Sequence, residues 1–275
     1  MLAEHYPAAS ARSVDNQGEG KVGQEVFRLD GRVALVTGAG RGLGKAMALG
    51  LAEAGADIAG LVRGQSQATA EAVASCGRRY CPIPLDLGKA SVADLEEAVA
   101  ATVTAFGRLD ILVNNAGIIR RTPAPEFSEK DWDEVLQINL KALFFLSQAA
   151  AKVMIRQGSG KIINVASVLS FQGGILVPSY TASKSGVAGI TRAMGNELAR
   201  HNINVNAIAP GYMATDNTAA LRADPARSRA ILDRIPAGRW GAPDDLKGIV
   251  VFLASDASNY VNGAIIPVDG GWLAR

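Results

Sequence analysis

Three side chains near the middle of the chain combine into a site for proton transfer. Tyr180 and Lys184 stand four residues apart in a segment with helical spacing, so they occupy one face of a helix, one turn apart. A phenol has an ordinary pKa of about 10, and a neighbouring ammonium group favours its ionised form. Ser167 follows an apolar run, and its hydroxyl can hydrogen-bond the same substrate oxygen. The spacing predicts a general acid/base site without histidine, metal or thiol.

A glycine-rich loop near the start of the chain predicts where an anion binds. The apolar run 32–37 is followed by glycines at 38, 40, 42 and 44 and by a helix-forming segment that ends at Gly55. Strand, glycine loop and helix in this order place a phosphate group at a helix N-terminus. The spacing G-x-G-x-x-G fails because Leu43 takes the place of the third glycine, whereas T-G-x-x-x-G-x-G fits from Thr37 to Gly44. We therefore predict a dinucleotide cofactor here.

Strand and helix patterns alternate along the rest of the chain. The predicted helices include 65–75, 91–106, a long helix capped by Ser128, the Tyr180 helix and 244–254. Such repeats predict a single-domain α/β protein with a Rossmann fold: a doubly wound, seven-stranded parallel sheet with helices on both faces and ligands at the carboxyl ends of the strands. The polar, arginine-rich segment 216–238 is expected to be mobile. The predicted strands cover 32–37, 57–62, 80–85, 109–113, 161–165, 204–208 and 264–268.

Composition limits the classes of function. The chain has 275 residues and a net charge of +2 with no basic block, which disfavours nucleic acid or an anionic membrane as a partner. Its two cysteines, Cys76 and Cys81, are expected to be reduced, and two distant histidines predict no metal site. No run approaches the roughly 20 apolar residues that cross a bilayer. Residues 1–27 lack periodicity and a secretory signal, so we predict a flexible tail, a catalytic domain over 28–275 and a cytoplasmic location.

From about Leu29 to Arg275 the chain resembles the short-chain dehydrogenase/reductase family. The resemblance rests on TGAGRGLG (37–44), NNAG (114–117), P-G-x-x-x-T (210–215) and the Ser, Tyr and Lys spacing. It implies hydride transfer between a nicotinamide and a substrate carbon, with Tyr180 exchanging a proton with the substrate oxygen and Ser167 orienting that oxygen. It also implies that Lys184 binds the ribose and lowers the pKa of Tyr180, and that Asn139 holds a relay water. The implied catalytic residues are Asn139, Ser167, Tyr180 and Lys184.

The sequence and the family resemblance give conflicting indications about the choice between NAD and NADP. The place at the end of the second strand where NAD enzymes of this fold carry an acid reads Val62-Arg63-Gly64. Arg41 and Arg63 can together receive a 2′-phosphate, since arginine suits phosphate geometry. However, the subfamily that this chain resembles, whose members act on deoxy-sugar acids, is often NAD-linked. We predict NAD(P)(H) with a slight preference for NADP(H). The predicted cofactor contacts are Gly38, Arg41, Gly42, Leu43, Gly44, Arg63, Asp86, Leu87, Asn114, Ala116, Gly117, Tyr180, Lys184, Pro210, Gly211, Met213 and Thr215.

Longer stretches resemble a subfamily that interconverts keto and hydroxy forms of deoxy-sugar acids, among them SVLSFQGGILVPSYTASKSG and VDGGWLAR. A carboxylate substrate calls for a cation, ideally an arginine. Arg120, Arg121 and Arg239 are candidates, and we favour Arg121 as the carboxylate ligand. It is equally open that Arg121 is a solvated loop charge or part of an ion pair between subunits. The predicted substrate contacts are Arg121, Ser167, Gln172 and Tyr180.

Other functions of the same fold stay open. Within enzymes these are a gluconate 5-dehydrogenase, reduction of an unsaturated-uronate-derived keto acid and a 3-oxoacyl-carrier-protein reductase. A different class is a non-catalytic dinucleotide-binding regulator, which loss of Tyr180 or Lys184 would have favoured. The family resemblance implies that the apolar face of 132–155 and the Tyr180 helix pack into a homotetramer.

Overall fold

The structure is a computed structural model, and it describes residues 23–275. Its centre is a seven-stranded sheet in the order β3-β2-β1-β4-β5-β6-β7, with every neighbouring pair parallel. The predicted doubly wound parallel sheet is therefore confirmed. The strands are β1 (Val33–Thr37), β2 (Asp57–Val62), β3 (Tyr80–Pro84), β4 (Ile111–Asn114), β5 (Gly160–Val165), β6 (Ile203–Pro210) and β7 (Ile265–Val268).

Helices cover both faces of the sheet, so that β1, β2, β4, β5 and β6 are buried along their whole length. This double burial explains why the strands read as continuous apolar runs rather than alternating ones. The helices are α1 (Gly42–Glu53), α2 (Gln67–Ser75), α3 (Val92–Phe106), α4 (Glu129–Leu136), α5 (Ala142–Gln157), α6 (Pro178–Leu198), α7 (Ala219–Ala223), α8 (Pro225–Leu232) and α9 (Lys247–Ala254).

Two hydrophobic cores lie on opposite faces. On one face, Leu95 of α3 and Leu146 of α5 pack against Leu112 of β4. On the other, Met47 of α1 and Val250 of α9 pack beneath the same sheet. The strand order reverses between β1 and β4, which lie side by side although β2 and β3 separate them in the chain. In open α/β sheets such a reversal opens a crevice at the carboxyl ends of the strands.

The long helix after Ser128 is interrupted where the sequence predicts continuity. Ser128 caps α4 by accepting a hydrogen bond from the Asp131 backbone N–H at 3.1 Å, as expected. A π-helical turn, Gln137–Lys141, then separates α4 from α5. Within residues 23–275, the run 129–157 is the one helix apolar and long enough to cross a bilayer, with a mean hydropathy of 1.3. However, 56% of that window is buried inside the protein. Its apolar side belongs to the core described above.

Three segments differ from expectation. Within the predicted tail, Gly23–Phe27 forms a 3₁₀ turn, whereas residues 1–22 lie outside the described part of the chain. The segment 216–238 contains α7 and α8. Asp224 caps α8 by accepting hydrogen bonds from the N–H groups of Ala226 and Arg227, and Pro225 occupies its first turn. The predicted helix 244–254 begins as a 3₁₀ turn, Pro243–Leu246, and becomes α-helical at Lys247.

Candidate active site

The glycine loop and the NNAG segment are locked together at the carboxyl ends of β1 and β4. The Thr37 hydroxyl accepts hydrogen bonds from the backbone N–H groups of Asn115 (2.9 Å) and Ala116 (2.8 Å), and the Asn115 side-chain amide donates to the Thr37 carbonyl at 2.9 Å. A Cβ at Gly44 would lie 2.2 Å from the Gly38 carbonyl oxygen. Only glycine permits this approach, so the loop turns tightly into α1 and leaves its first N–H groups accessible.

This loop forms one wall of a cleft of about 530 Å³. That volume falls within the ordinary range of ligand pockets. The cleft lies at the carboxyl ends of the strands where the strand order reverses, and Tyr180 and Lys184 of α6 are among the residues that line it. The predicted cofactor residues that line it are Gly38, Arg41, Gly42, Leu43, Gly44, Arg63, Asp86, Leu87, Ala116, Gly117, Tyr180, Lys184 and Thr215.

Four predicted cofactor residues do not line the cleft. The Asn114 side chain is turned into the core, where its amide donates to Ser147 Oγ at 2.8 Å and Asn164 Oδ1 at 2.9 Å. Met213 is buried against Gly241. Pro210 ends β6 in register with Val268 of β7, and the N–H of the next residue, Gly211, donates to the Val268 carbonyl at 3.0 Å.

Tyr180 and Ser167 come together as predicted. Ser167 follows β5 and is 7% exposed, and its hydroxyl oxygen accepts a hydrogen bond from the Leu169 N–H at 3.1 Å. Burial raises the pKa of the Tyr180 phenol, while its hydrogen bond with Ser167 and the charge of Arg121 oppose that rise. Burial is the largest influence on this pKa, and the predicted lowering by Lys184 stays a prediction. The phenol is therefore held in its protonated form at neutral pH.

Lys184 is buried beside Tyr180, and no carboxylate in the described part of the chain pairs with it. It is 4% exposed, and its Nζ lies 5.7 Å from the centroid of the Tyr180 ring. The ammonium group donates to the Val165 carbonyl at 2.6 Å, and its other two donors have no hydrogen-bond partner among residues 23–275. Burial lowers the pKa of Lys184 to about 8. A buried cation with spare donors that lines a cleft is suited to bind hydroxyl groups of a ligand.

Asn139 sits in the π-helical turn and is completely buried. Its amide exchanges two hydrogen bonds with Ile118, donating to the carbonyl and accepting from the N–H, each at 2.9 Å. It also donates to Ser183 Oγ at 3.2 Å. These bonds join the NNAG strand end to α6, one residue before Lys184. The side chain thus braces the site, whereas its predicted role in holding a water stays a prediction.

The three arginines considered for a substrate carboxylate are not equivalent. Arg120 is engaged by Glu134 at 2.8 Å, and Arg239 by Asp245 at 2.6 Å. Arg121 is exposed and makes only one hydrogen bond, from Nη2 to the Asn217 carbonyl at 3.1 Å. No carboxylate of residues 23–275 lies within ion-pair distance of it. Because Arg121 also acts electrostatically on Tyr180, it is the candidate whose charge reaches the reacting group.

Sequence reasoning missed several residues of the cleft, among them Gln65, Asp216 and Asn217. Asp216 forms an ion pair with Arg41 at 2.8 Å, with both side chains more than three-quarters exposed. The pair joins the glycine loop to the segment after β6 across the cleft. No local pattern identifies it, because its partners are 175 residues apart. For Gln65, its place after the second strand beside Arg63 was an available signal.

Comparisons with known proteins agree with this geometry. A family model described as short chain dehydrogenase matches residues 32–226. The 2-dehydro-3-deoxy-D-gluconate 5-dehydrogenase of Escherichia coli K12 is 63% identical over 250 residues, which span 90% of this chain and 98% of that protein. The protein of the same name from Bacillus subtilis is 52% identical over 255 residues, 91% of this chain and 98% of the relative.

A solved structure is also similar over nearly the whole fold. It is a putative 2-deoxy-D-gluconate 3-dehydrogenase from Agrobacterium tumefaciens with bound NADP. It superposes with a TM-score of 0.85 at 56% identity, and the match covers 91% of this chain and 99% of that one.

Proposed function

This chain belongs to the short-chain dehydrogenase family, and we propose that it transfers a hydride between NADP(H) or NAD(H) and C5 of a keto/hydroxy deoxy-sugar acid, as a 2-dehydro-3-deoxy-D-gluconate 5-dehydrogenase. The observation that carries the proposal is the hydrogen-bonded Tyr180 and Ser167 pair beside buried Lys184, where Tyr180 and Lys184 line the glycine-loop cleft. The relatives named above favour a deoxy-sugar acid as the substrate class. The family match and this geometry together support oxidoreductase chemistry.

The residues of the cleft fit a dinucleotide. A Cβ at Gly44 would overlap the Gly38 carbonyl oxygen, so glycine keeps the loop close to the first turn of α1, and the space beside Gly42 is open. The N-cap residue Arg41 makes no side-chain capping bond to that turn, so the first N–H groups of α1 can bind a pyrophosphate. Asp86 and Gly117 would line the adenine and nicotinamide parts. When bound, the nicotinamide ring supplies or accepts the hydride.

Within this proposal, NADP(H) is the preferred cofactor. Arg41 and Arg63 both line the cleft where β2 ends, and no acid occupies that position. A 2′-phosphate there would meet two guanidinium groups, whereas a 2′-hydroxyl would lack its usual carboxylate partner. Comparing kcat/KM for NADPH and NADH tests this, and a preference for NADH would refute it.

In the proposed mechanism, Tyr180 is the general acid for carbonyl reduction and the general base for alcohol oxidation. Its phenol holds the proton at Oη, and Ser167 donates a hydrogen bond that fixes the substrate oxygen beside it. Lys184 uses its spare donors to hold the ribose hydroxyls and keeps a positive charge close as the phenolate forms. Asn139 keeps this wall of the site rigid through its two bonds to Ile118.

Arg121 binds the substrate carboxylate in this proposal. Unlike Arg120 and Arg239, it pairs with no carboxylate of the residues that the structure describes, and its charge acts on the Tyr180 hydroxyl. We expect Arg121→Met to raise the KM for the sugar acid by about tenfold or more, which is about 1.4 kcal/mol of lost binding. Unchanged KM and kcat/KM would exclude this assignment.

The deciding experiment follows the absorbance of NADPH and NADH with a 2,5-diketo-3-deoxy sugar acid, for the wild type and Tyr180→Phe. We expect cofactor oxidation by the wild type and a loss of at least about 100-fold in the variant. Turnover only with 5-ketogluconate or an acetoacetyl thioester would keep the mechanism and replace the substrate class. Tight cofactor binding without turnover of any carbonyl would favour a regulator.

Two further parts of the proposal concern assembly and location. We propose a homotetramer, because the helical run 129–157 leaves Trp132 and Ile155 38% and 40% exposed on its surface. Light scattering after size-exclusion chromatography that gives the mass of one chain would refute it. We also propose a cytoplasmic location, consistent with two free thiols, Cys76 and Cys81, in the described part of the chain.

A further inference from the structure

An arginine that sequence reasoning did not consider lies beside the catalytic serine loop. The guanidinium carbon of Arg234, which follows α8, stands 3.9 Å above the centroid of the Trp272 ring. Its Nη2 donates to Gln172 Oε1 at 3.1 Å. Trp272 is 4% exposed and packs in one apolar cluster with Val168, the residue after Ser167. Arg234 is thus an exposed cation fixed on a buried aromatic platform.

The positive charge of Arg234 is not neutralised by any neighbour among the described residues. No carboxylate of residues 23–275 lies within ion-pair distance of it, whereas Arg229 of the same segment pairs with Asp233 at 3.2 Å. Arginine carries five N–H donors in a rigid fork, and Gln172 takes one. Stacking on an indole holds that fork in one plane and leaves its edge available. A guanidinium held in this way is prepared to bind a planar anion.

The aromatic platform of Arg234 is continuous with the serine loop of the active site. Trp272 shares its apolar cluster with Val168, and its ring is tilted by 53° against that of Tyr212, with the centroids 4.6 Å apart. Arg234 is not among the residues that line the cleft with Tyr180, so it lies to the side of the reacting hydroxyl. A substrate that reaches from Tyr180 to Arg234 carries its carboxylate several carbons away from the carbonyl that is reduced.

We infer that Arg234, held by Trp272 and Gln172, is a second carboxylate-recognising residue that selects sugar acids whose acid group is remote from the reacting carbon. The inference rests on the proposed sugar-acid function. The one carboxylate of the substrate then lies between the two guanidinium groups, with Arg121 on the side of Tyr180 and Arg234 on the side of Trp272. Gln172 acts as a positioning residue, because it holds the fork through one hydrogen bond.

The test compares a 2,5-diketo-3-deoxy sugar acid with its C1 amide, a neutral analogue of the same length. For Arg234→Met, we expect the KM of the acid to rise by about tenfold or more while kcat stays within about threefold. The amide should show no such change. Arg229→Met is the matched control, since it removes an exposed arginine of the same segment that already has an acidic partner.

Two companion variants separate binding from folding. Arg234→Lys keeps the charge but loses the planar fork, so it should recover part of the KM effect. Gln172→Leu should also raise the KM of the acid, but by a factor several times smaller than the factor for Arg234→Met. Equal effects of Arg234→Met on acid and amide, or no effect, would overturn the inference and leave the proposed function intact. A wild type that reduces no carboxylate-bearing substrate would remove both.

Discussion

Two buried lysines mark opposite edges of the sheet, and their environments differ. Lys184 lies at the carboxyl edge, and Lys161 near the start of β5 at the amino edge, and each is 4% exposed. Burial lowers the pKa of both to about 8. Lys161 uses all three donors, to Asn204 Oδ1 (2.8 Å), Asn259 Oδ1 (2.9 Å) and Ser258 Oγ (3.3 Å). Lys184 uses one, to the Val165 carbonyl.

The difference shows that a perturbed pKa does not by itself identify a functional residue. The ammonium group of Lys161 is saturated by side chains from β6 and from the turn before β7, so it joins elements together. The ammonium group of Lys184 keeps two donors without a partner among residues 23–275, and both are available to a ligand in the cleft. Unused hydrogen-bonding capacity beside a cleft therefore distinguishes Lys184, the lysine that we propose to be catalytic, from Lys161, which joins structural elements.

The largest expected effect is on turnover. Lys184→Met should lower kcat/KM for carbonyl reduction by at least about 100-fold, because it removes the charge beside Tyr180 and the ribose donors. Lys161→Met should stay within about threefold of the wild type, because the amino edge of the sheet does not touch the cleft. The measurement is steady-state kinetics on both variants with the same substrate. A comparable loss of kcat/KM in Lys161→Met would contradict the distinction between the two lysines.

The same two variants should rank in the opposite order when the loss of stability is measured instead of the loss of kcat/KM. Lys161→Met leaves the oxygens of Asn204 and Asn259 without a donor, and we expect a loss of about 2 kcal/mol in the free energy of unfolding at neutral pH. Lys184→Met leaves one carbonyl unpaired but also removes a desolvated charge, so its stability should change by less than about 1 kcal/mol. Urea unfolding at a fixed protein concentration checks both. Equal losses would contradict the comparison.

Stability should also rise with pH above about 8. Both lysines have a pKa of about 8 in the folded protein, lowered from 10.5. The unfolded chain therefore holds more protons between these values, and raising the pH through this window stabilises the folded state, by at most about 1.4 kcal/mol per pH unit for each lysine. Below pH 8 both states hold the same protons. Urea unfolding between about pH 7.5 and 9.5 should show a smaller slope for Lys161→Met.

The smallest expected effect concerns the exposed Arg41 and Asp216 ion pair. Exposed pairs contribute at most about 1 kcal/mol, so Asp216→Asn should leave the unfolding free energy nearly unchanged. It should raise kcat/KM for NADPH about two- to fivefold relative to NADH, because the carboxylate no longer competes with a 2′-phosphate for Arg41. Asp233→Asn, in the exposed pair with Arg229, is the control. An unchanged cofactor ratio would exclude the competition.

The sequence predicted the parts of the protein that repeat or follow short motifs. The parallel sheet, the glycine loop and the Ser167, Tyr180 and Lys184 group were accessible because local periodicity and fixed spacing specify them. Arg234 and Asp216 were not, since their partners are 38 and 175 residues away or are set by side-chain packing. The burial of Tyr180, which opposes the expected fall in its pKa, also depends on tertiary structure.

The π-helical turn Gln137–Lys141 has a genetic consequence. A π turn is equivalent to one residue inserted into an α-helix. Deleting one codon within 137–141 would restore regular winding and keep the faces of α4 and α5 aligned, because the π turn already absorbs one extra residue. The cost would fall on the turn itself, where Asn139 would lose its alignment with Ile118. Reading-frame-preserving deletions should therefore be recovered in the surface connections of a mutational library and be absent from these five codons.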